Sequence, residues 1–349
     1  METRSSGHSA LNMPLLGVGC WSFGGGDYWG KQEQKDVDAV VCRAIDIGCN
    51  YFDTAEIYND GASEVSLGRA LANCRDKAII GTKVSPSNTE PSTLKKHCEA
   101  SLKRLATDYV DIYMVHWPIH PHSIRHFTGD DEIINNPPSV YEAFDMLMRL
   151  KKEGKILDIG VSNFGVRQLN EALSTGANIV VNELPYNLLS RAIETEIAPL
   201  CQSKGIGIIG YMPLMQGILT GKYEDANSVP ATRTRTRHFS GKREDSRHGE
   251  QGCEEETFTA LNDIRQIALR ERLSMSHLAI AWAAANPAVS CVLAGARTPG
   301  QLEANANAVS FKLQQDIVEK VNAATEKVLN ILGPTNPDYY ESSSMSRTW

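Results

Sequence analysis

Three observations predict an α/β fold, a (β/α)8 TIM barrel with long loops at its C-terminal face. Short apolar runs alternate with amphipathic segments along 349 residues, with eight strand-like runs at intervals of roughly 25 to 45 residues. Alternation of this kind implies parallel strands joined by right-handed crossovers, and eight such units close naturally into a barrel. The rival, a doubly wound open sheet, would carry a Gly-rich phosphate turn between its first strand and helix. Gly17-Val18-Gly19 is followed by no helix start, and no such motif occurs elsewhere. Residues 1–349 therefore read as one domain, since barrels of this kind commonly exceed about 250 residues as a single unit.

The first strand is Leu15–Cys20, whose glycines allow close approach to the backbone, followed by the flexible loop Trp21–Gly26 and then Tyr28 and Trp29. Val37, Val40, Val41, Ala44 and Ile45 recur at helical spacing before Gly48. Asn50–Asp53 is the second strand; Tyr51 and Phe52 suit a buried pleated surface, and Ser63–Leu71 follows as a helix. Strands are expected at Ala78–Val84, Tyr109–His116, Ile156–Val161, Asn178–Glu183, Ile206–Tyr211 and Val289–Ala294. Helices are expected at Pro91–Leu105, Ser139–Lys152, Val166–Leu173, Ile193–Ser203, Glu256–Arg270, Met275–Ala285 and Gly300–Val309. Two segments, 120–138 and 223–255, exceed what a barrel needs and are expected to be mobile loops, lids or disordered. The tail 334–349 either folds over the opening or is disordered.

A net charge of −7 argues against a nucleic-acid or anionic-membrane partner, either of which favours a basic face. The eight cysteines show neither C-x-x-C nor Cys/His pairing at ligand spacing, so they read as reduced thiols and no metal is expected. No apolar run approaches the roughly 20 residues needed to span a bilayer. Met1–Asn12 is too short and polar for a signal peptide, and the chain reads as cytoplasmic.

In a barrel the strand ends converge on one mouth. Here they deliver Trp21, Asp53, Lys83, His116, Ser162, Asn163, Glu183 and Tyr211, with Gly295-Ala296-Arg297 just beyond the last strand. A lysine in the apolar strand end I-I-G-T-K-V needs a partner, because an unpaired buried ammonium is costly, and Asp53 on the neighbouring strand is the natural one. The chemistry that fits is carbonyl reduction. The Lys83 ammonium, held by Asp53, is expected to lower the pKa of the Tyr58 phenol, which protonates the nascent alkoxide while His116 donates a hydrogen bond to the same oxygen. The hydride must come from a cofactor. Trp21, Tyr58, His116 and Trp117 then line the mouth for a small carbonyl substrate.

The sequence resembles the aldo-keto reductases over nearly its whole length. The resemblance is carried by G-V-G-C-W from Gly17, D-T-A-E-I-Y at 53–58, G-T-K-V at 81–84, V-D-I-Y-M-V-H-W-P at 110–118 and G-K-I-L-D-I-G-V-S-N-F at 154–164. It continues with Y-M-P-L-M-Q-G-I-L-T-G-K at 211–222 and A-G-A-R-T-P-G-Q-L-E-A-N at 294–305. It looks closest to the bacterial and plant branch of general aldehyde and sugar reductases. The resemblance implies a catalytic tetrad of Asp53, Tyr58, Lys83 and His116. It implies NADP(H) as cofactor, with Ser162, Asn163 and Glu183 on the carboxamide and Tyr211 on the ring. Gly19, Cys20, Trp21 and Asp53 would border it, and Met212, Pro213, Leu214, Gly217, Leu219 and Lys222 would follow the pyrophosphate. Gly295, Arg297, Gln301 and Asn305 would meet the adenosine, and an arginine aimed at the 2′-phosphate favours NADP over NAD.

The family usually has glutamine where this chain has Glu183 and serine where it has Met212. An ionised Glu183 would favour the cationic oxidised ring; a protonated one would mimic glutamine. Two other readings stay open. A non-catalytic NADP-binding regulatory subunit of the potassium-channel type could keep the tetrad, although no long extra N-terminal segment is present. An aldolase would use Lys83 as a Schiff-base nucleophile, but that requires a lysine free of carboxylate pairing.

Overall fold

The computed structural model describes residues 1–7 and 9–349. Ten strands occur among them: β1 (Thr3–Ser5), β2 (Asn12–Pro14), β3 (Leu16–Gly19), β4 (Tyr51–Asp53), β5 (Ile79–Val84), β6 (Val110–Val115), β7 (Ile156–Ser162), β8 (Ile179–Pro185), β9 (Gly207–Tyr211) and β10 (Val289–Gly295). Strands β3 to β10 pair in parallel and close into an eight-stranded barrel, β10 returning to β3 with Val292 beside Leu16 and Gly295 beside Gly19. The eight expected strands are the eight barrel strands, shifted by one or two residues at their ends.

Two apolar layers hold the barrel. The outer one packs strand side chains such as Leu16, Val18, Ile80, Val115 and Val161 against helix residues Val37, Val41, Leu94, Phe144 and Leu147. The inner one fills the barrel with Tyr51, Ile112, Met114, Val181, Ile209, Cys291 and Leu293, plugged from below by Met13. Packing a ring as large as Tyr51 into this interior requires small neighbours. A Cβ on Gly81 would lie 2.5 Å from the Tyr51 hydroxyl, and one on Gly17 would lie 2.6 Å from the Tyr51 ring. The close approach allowed by Gly17 is thus to a core side chain.

The N-terminal residues, given no element from the sequence, form an antiparallel hairpin of β1 and β2 that caps the barrel floor. Arg4 fastens it by donating to the carbonyls of Ala284, Asn286 and Val289 at 2.7–3.0 Å. The surrounding helices fall where expected, including Pro91–Leu105, Val140–Lys152 and Met275–Ala285. Pro91 opens the first of these, and the Glu90 side chain caps it by accepting from the amides of Ser92 and Thr93 at 3.1 and 2.9 Å. The helix Gln315–Leu332 was not expected; it packs on Glu254–Arg270 through Ile317, Val321, Val328 and Leu332.

The two long segments are pinned where free loops were expected. Segment 120–138 folds two short helices, Pro121–Ile124 and Asp131–Asn135. Segment 223–255 is anchored by Arg237, 2% exposed, which donates to Glu250 Oε2 at 2.8 Å and to the carbonyls of Asp338 and Leu332. His238 and Phe239 beside it are fully buried. These bonds also tie the tail and the end of helix Gln315–Leu332 to segment 223–255.

The helix Ala62–Ala70 crosses its neighbour so closely that a Cβ on Gly68 would sit 2.5 Å from the Leu105 carbonyl oxygen. Helix propensity favours Gly68→Ala by about 1 kcal/mol, whereas overpacking against rigid backbone costs roughly 1–3 kcal/mol. Urea denaturation is expected to show a net loss of stability for this variant.

Candidate active site

The strand ends continue their ladder into the rim, which fixes the functional side chains against one another. Cys20 donates its amide to the Asp53 carbonyl at 2.8 Å, Thr54 to Gly81 at 2.9 Å, His116 to Val84 at 2.9 Å and Asn163 to Glu183 at 2.8 Å. The loop carrying Tyr58 is held from two sides. Asn59, in the left-handed region at φ 52°, donates to the carbonyls of Trp21 and Phe23 at 2.8 and 2.9 Å. Glu56, one turn earlier, accepts from the Ser85 amide at 2.9 Å and from Asn88 at 2.8 Å, and lies 2.7 Å from His97 Nδ1.

Lys83 is the centre of the site. Its ammonium lies 2.6 Å from each Asp53 oxygen, 3.0 Å from the Thr54 carbonyl and 3.4 Å from both the Tyr58 hydroxyl and Glu183 Oε1. Lys83 is fully buried, Asp53 is 2% exposed and Glu183 3%. Burial opposes the ammonium, but the Asp53 carboxylate outweighs it, so the charge is held above its ordinary pKa. The imidazole of His116 stands edge-to-face with the Tyr58 ring, centroids 5.6 Å apart. Burial, reinforced by Lys83, pushes its pKa well below the usual histidine value, so it is neutral at pH 7.

The Tyr58 phenol departs from expectation. Burial, the largest influence, drives its pKa up; the Lys83 ammonium pulls against this, and Asp53 and Glu183 add to the rise. The net shift is upward because burial dominates and the ammonium is already neutralised by Asp53, which lies nearer to it. Tyr58 therefore keeps its proton at neutral pH.

Around this centre the remaining residues divide. At the ends of β7 and β9, Asn163 accepts from the Tyr211 hydroxyl at 2.8 Å and donates to Ser162 Oγ at 3.0 Å and the His116 carbonyl at 3.1 Å. Met212 turns the chain away from β9 at φ 55°, followed by Pro213 and Leu214. Gly217, at φ 93°, leaves room that a Cβ would fill at 3.1 Å from Lys222 Nζ and 3.5 Å from an Arg233 nitrogen. That cradle of open backbone beside two cations suits a phosphate. The Leu219 side chain is fully buried in the core, so it is the Leu219 backbone alone that lies beside this cradle.

Trp21 is 37% exposed at the rim and stacks on Tyr28, centroids 5.0 Å apart, with Trp29 at 5.2 Å. Tyr28 reaches across the mouth to donate to Gln216 at 3.0 Å. Past β10, Arg297 donates to Gln32 Oε1 at 2.7 Å and to the carbonyls of Trp29 at 2.8 Å and Lys31 at 2.5 Å, so it clasps this glycine-rich loop. Gln301 accepts from the Arg297 amide at 2.8 Å, and Asn305 donates to the Gly295 carbonyl at 3.3 Å.

Of the two courses the sequence leaves open for the tail, the structure takes the one over the mouth. Arg347 lies 3.7 Å over the Trp117 ring and is paired with the buried carboxylate of Asp338 at 3.0 Å. One face of Trp117 is therefore covered by a side chain from the tail. Tyr340 accepts from Gln216 at 3.3 Å, and the Thr348 hydroxyl donates to the Asn163 carbonyl at 2.9 Å. Sequence reasoning missed Arg233; the alternating Thr/Arg run at 232–237 carries no spacing that assigns it a cofactor role.

These features define a closed parallel barrel with a dry, lysine-centred site at its C-terminal rim. The model of the Aldo/keto reductase family matches residues 15–326, and the chain belongs to that family. By class it is an oxidoreductase. It is 30% identical to the NADH-specific methylglyoxal reductase of Escherichia coli over 331 residues, 88% of this chain and 93% of that one. It is 32% identical to a putative voltage-gated potassium channel subunit beta of Schizosaccharomyces pombe over 344 residues, 91% of this chain and 92% of that one. Among solved structures it resembles an aldo/keto reductase from Klebsiella pneumoniae in complex with NADP and acetate, with a TM-score of 0.68 at 25% identity over 93% of this chain and 95% of that one.

Replacing the shared cation exposes what it holds together. Lys83→Met is expected to cost about 3–5 kcal/mol at pH 8, because the buried Asp53 carboxylate loses its partner. Part of the loss should return at pH 5. Carboxyls protonated in the folded but not in the unfolded chain make stability fall as pH rises. Urea melts at both pH values check the magnitude and the sign.

Proposed function

We propose that the protein reduces an aldehyde or ketone to an alcohol with NADPH, in a reaction that also runs in reverse, and that Tyr58 is the proton donor. The observation that carries this reading is the Lys83 ammonium, which lies 2.6 Å from Asp53 and 3.4 Å from the Tyr58 hydroxyl. A phenol that keeps its own proton at neutral pH is a usable acid, and the adjacent ammonium stabilises the phenolate left after transfer. Neutral His116, edge-to-face with the Tyr58 ring, supplies a hydrogen bond to the oxygen that gains charge. Asp53 acts through Lys83; it orients the ammonium and does not itself touch the reacting atoms.

The residues present fit a nicotinamide dinucleotide. Ser162, Asn163 and the unpartnered Oε2 of Glu183 offer polar groups for the carboxamide, and Tyr211 offers a flat face. Gly217, with Lys222 and Arg233, suits the pyrophosphate. The bound cofactor supplies the hydride. Arg297 is the residue for a 2′-phosphate, which would compete for its guanidinium with the carbonyls of Trp29 and Lys31. Trp21 and Trp117 border a substrate mouth that segment 223–255 and the tail narrow. A reducing, cytoplasmic setting belongs to the same reading, supported by eight free thiols; no helix among the described residues is long and apolar enough to cross a membrane.

An aldolase is disfavoured, because the carboxylate on Lys83 keeps its amine charged and so not nucleophilic. A regulatory-subunit role is supported by the channel-subunit relative; measurable turnover separates the two readings. Steady-state oxidation of NADPH against a panel of aldehydes, ketones and sugars is expected to show activity. Tyr58→Phe should lower kcat by at least about 100-fold while leaving NADPH binding within a few-fold. Full activity in that variant would refute the assignment. Arg297→Met should weaken NADPH binding by roughly 10- to 100-fold and NADH binding by distinctly less, since NADH loses only the loop that Arg297 clasps and not a charge-assisted phosphate contact.

A further inference from the structure

Two carboxylates share one ammonium at the base of the mouth. Asp53 holds Lys83 through both oxygens at 2.6 Å, while Glu183 approaches it through Oε1 alone, at 3.4 Å. The other Glu183 oxygen, Oε2, is buried and has no hydrogen-bond partner. The groups facing Glu183 are Asp53 and Tyr51 on β4, Tyr58 on the loop after it, Lys83 on β5, Tyr211 on β9 and Cys291 on β10. Only Lys83 among them is positive.

If both carboxyls were ionised, this dry site would carry one uncompensated negative charge, which is costly. Asp53 has the shorter and double contact and keeps the ammonium. The proton that restores neutrality therefore belongs on Glu183. Burial first, and the Asp53 charge second, raise this carboxyl well above the ordinary range, with Lys83 opposing.

We infer that Glu183 carries a proton in the cofactor-free protein and releases it to solvent when an oxidised nicotinamide docks beside it. The inference rests on the cofactor reading above. Its logic is charge balance. With a reduced, uncharged ring the site is neutral when Lys83 and Asp53 are charged and Glu183 is protonated. The oxidised ring adds one positive charge, and ionised Glu183 cancels it. The carboxyl O–H bond is the only one that breaks, and no electrons move.

The sign follows from linkage. NADP⁺ favours the ionised carboxylate and so binds tighter as pH rises, whereas NADPH favours the protonated form and gains nothing. The ratio of the NADP⁺ to the NADPH dissociation constant should therefore fall with rising pH, by up to about tenfold per unit for one proton. The 2′-phosphate and adenine are common to both cofactors and cancel in that ratio.

Calorimetric titration of the full chain with NADP⁺ and with NADPH, from about pH 6 to pH 9 in two buffers of different ionisation heat, measures both ratio and proton count. At neutral pH the wild type should release a large fraction of one proton more on binding NADP⁺ than on binding NADPH, and E183Q should show no difference between the two. A ratio that does not change with pH in the wild type, or an equal pH slope and proton count in wild type and E183Q, would overturn the inference. Because the wild-type ratio alone can do so, the test does not depend on the variant folding. Failure of both cofactors to bind the wild type would instead remove the cofactor reading, and this inference with it.

Discussion

The pairing of Lys83 with Asp53 is the interaction on which the rest of the site depends. It joins β4 to β5 at the rim, beneath the loop that carries Tyr58. A fully buried ammonium is tolerable only because its hydrogen-bonding capacity is used: two carboxylate oxygens, the Thr54 carbonyl and, more distantly, the Tyr58 and Glu183 oxygens. The surrounding polar groups take their protonation states from it. His116 is kept neutral partly by that charge, Tyr58 is pulled against the effect of burial, and Glu183 is left competing for a cation that Asp53 already holds.

This centre needs an unyielding frame. The inner barrel provides it by stacking Tyr51 directly beneath the site, its hydroxyl 3.4 Å from Asp53 Oδ1, in space that Gly17 and Gly81 leave open. Above the rim the frame is made by long-range tethers. Asn59 ties the Tyr58 loop to the Trp21 loop, Arg297 clasps the carbonyls of the same glycine-rich segment, and the tail lays Arg347 across Trp117. The walls come from local β-α units, whereas the floor hairpin and the roof are held by contacts between segments far apart in sequence.

Much of this was legible from residue order. Short apolar runs and the helical spacing between them identified all eight barrel strands, because a strand buried on both faces must be apolar and short. The rim residues were legible for a related reason: a barrel turns strand ends into neighbours, so Asp53, Lys83, His116, Glu183 and Tyr211 could be placed together without a structure. The helix Gln315–Leu332 carried a readable apolar stripe that was passed over. The hairpin at the N-terminus carried almost none, since three-residue strands are too short for periodicity to register.

What the sequence determined by itself was the set of local choices, strand, helix and strand end, together with the identity of the side chains delivered to one mouth. Those choices depend on near neighbours along the chain. The tertiary structure alone decided how charge is distributed within that mouth and what closes over it. The direction of the Tyr58 shift depends on how much water burial removes and on how completely Asp53 neutralises Lys83. The third claimant on that ammonium, Glu183, becomes visible only through distances across the barrel. The placement of Arg233 beside Gly217 and of Arg347 on Trp117 likewise depends on contacts between residues 16 and 230 positions apart, for which no local pattern exists.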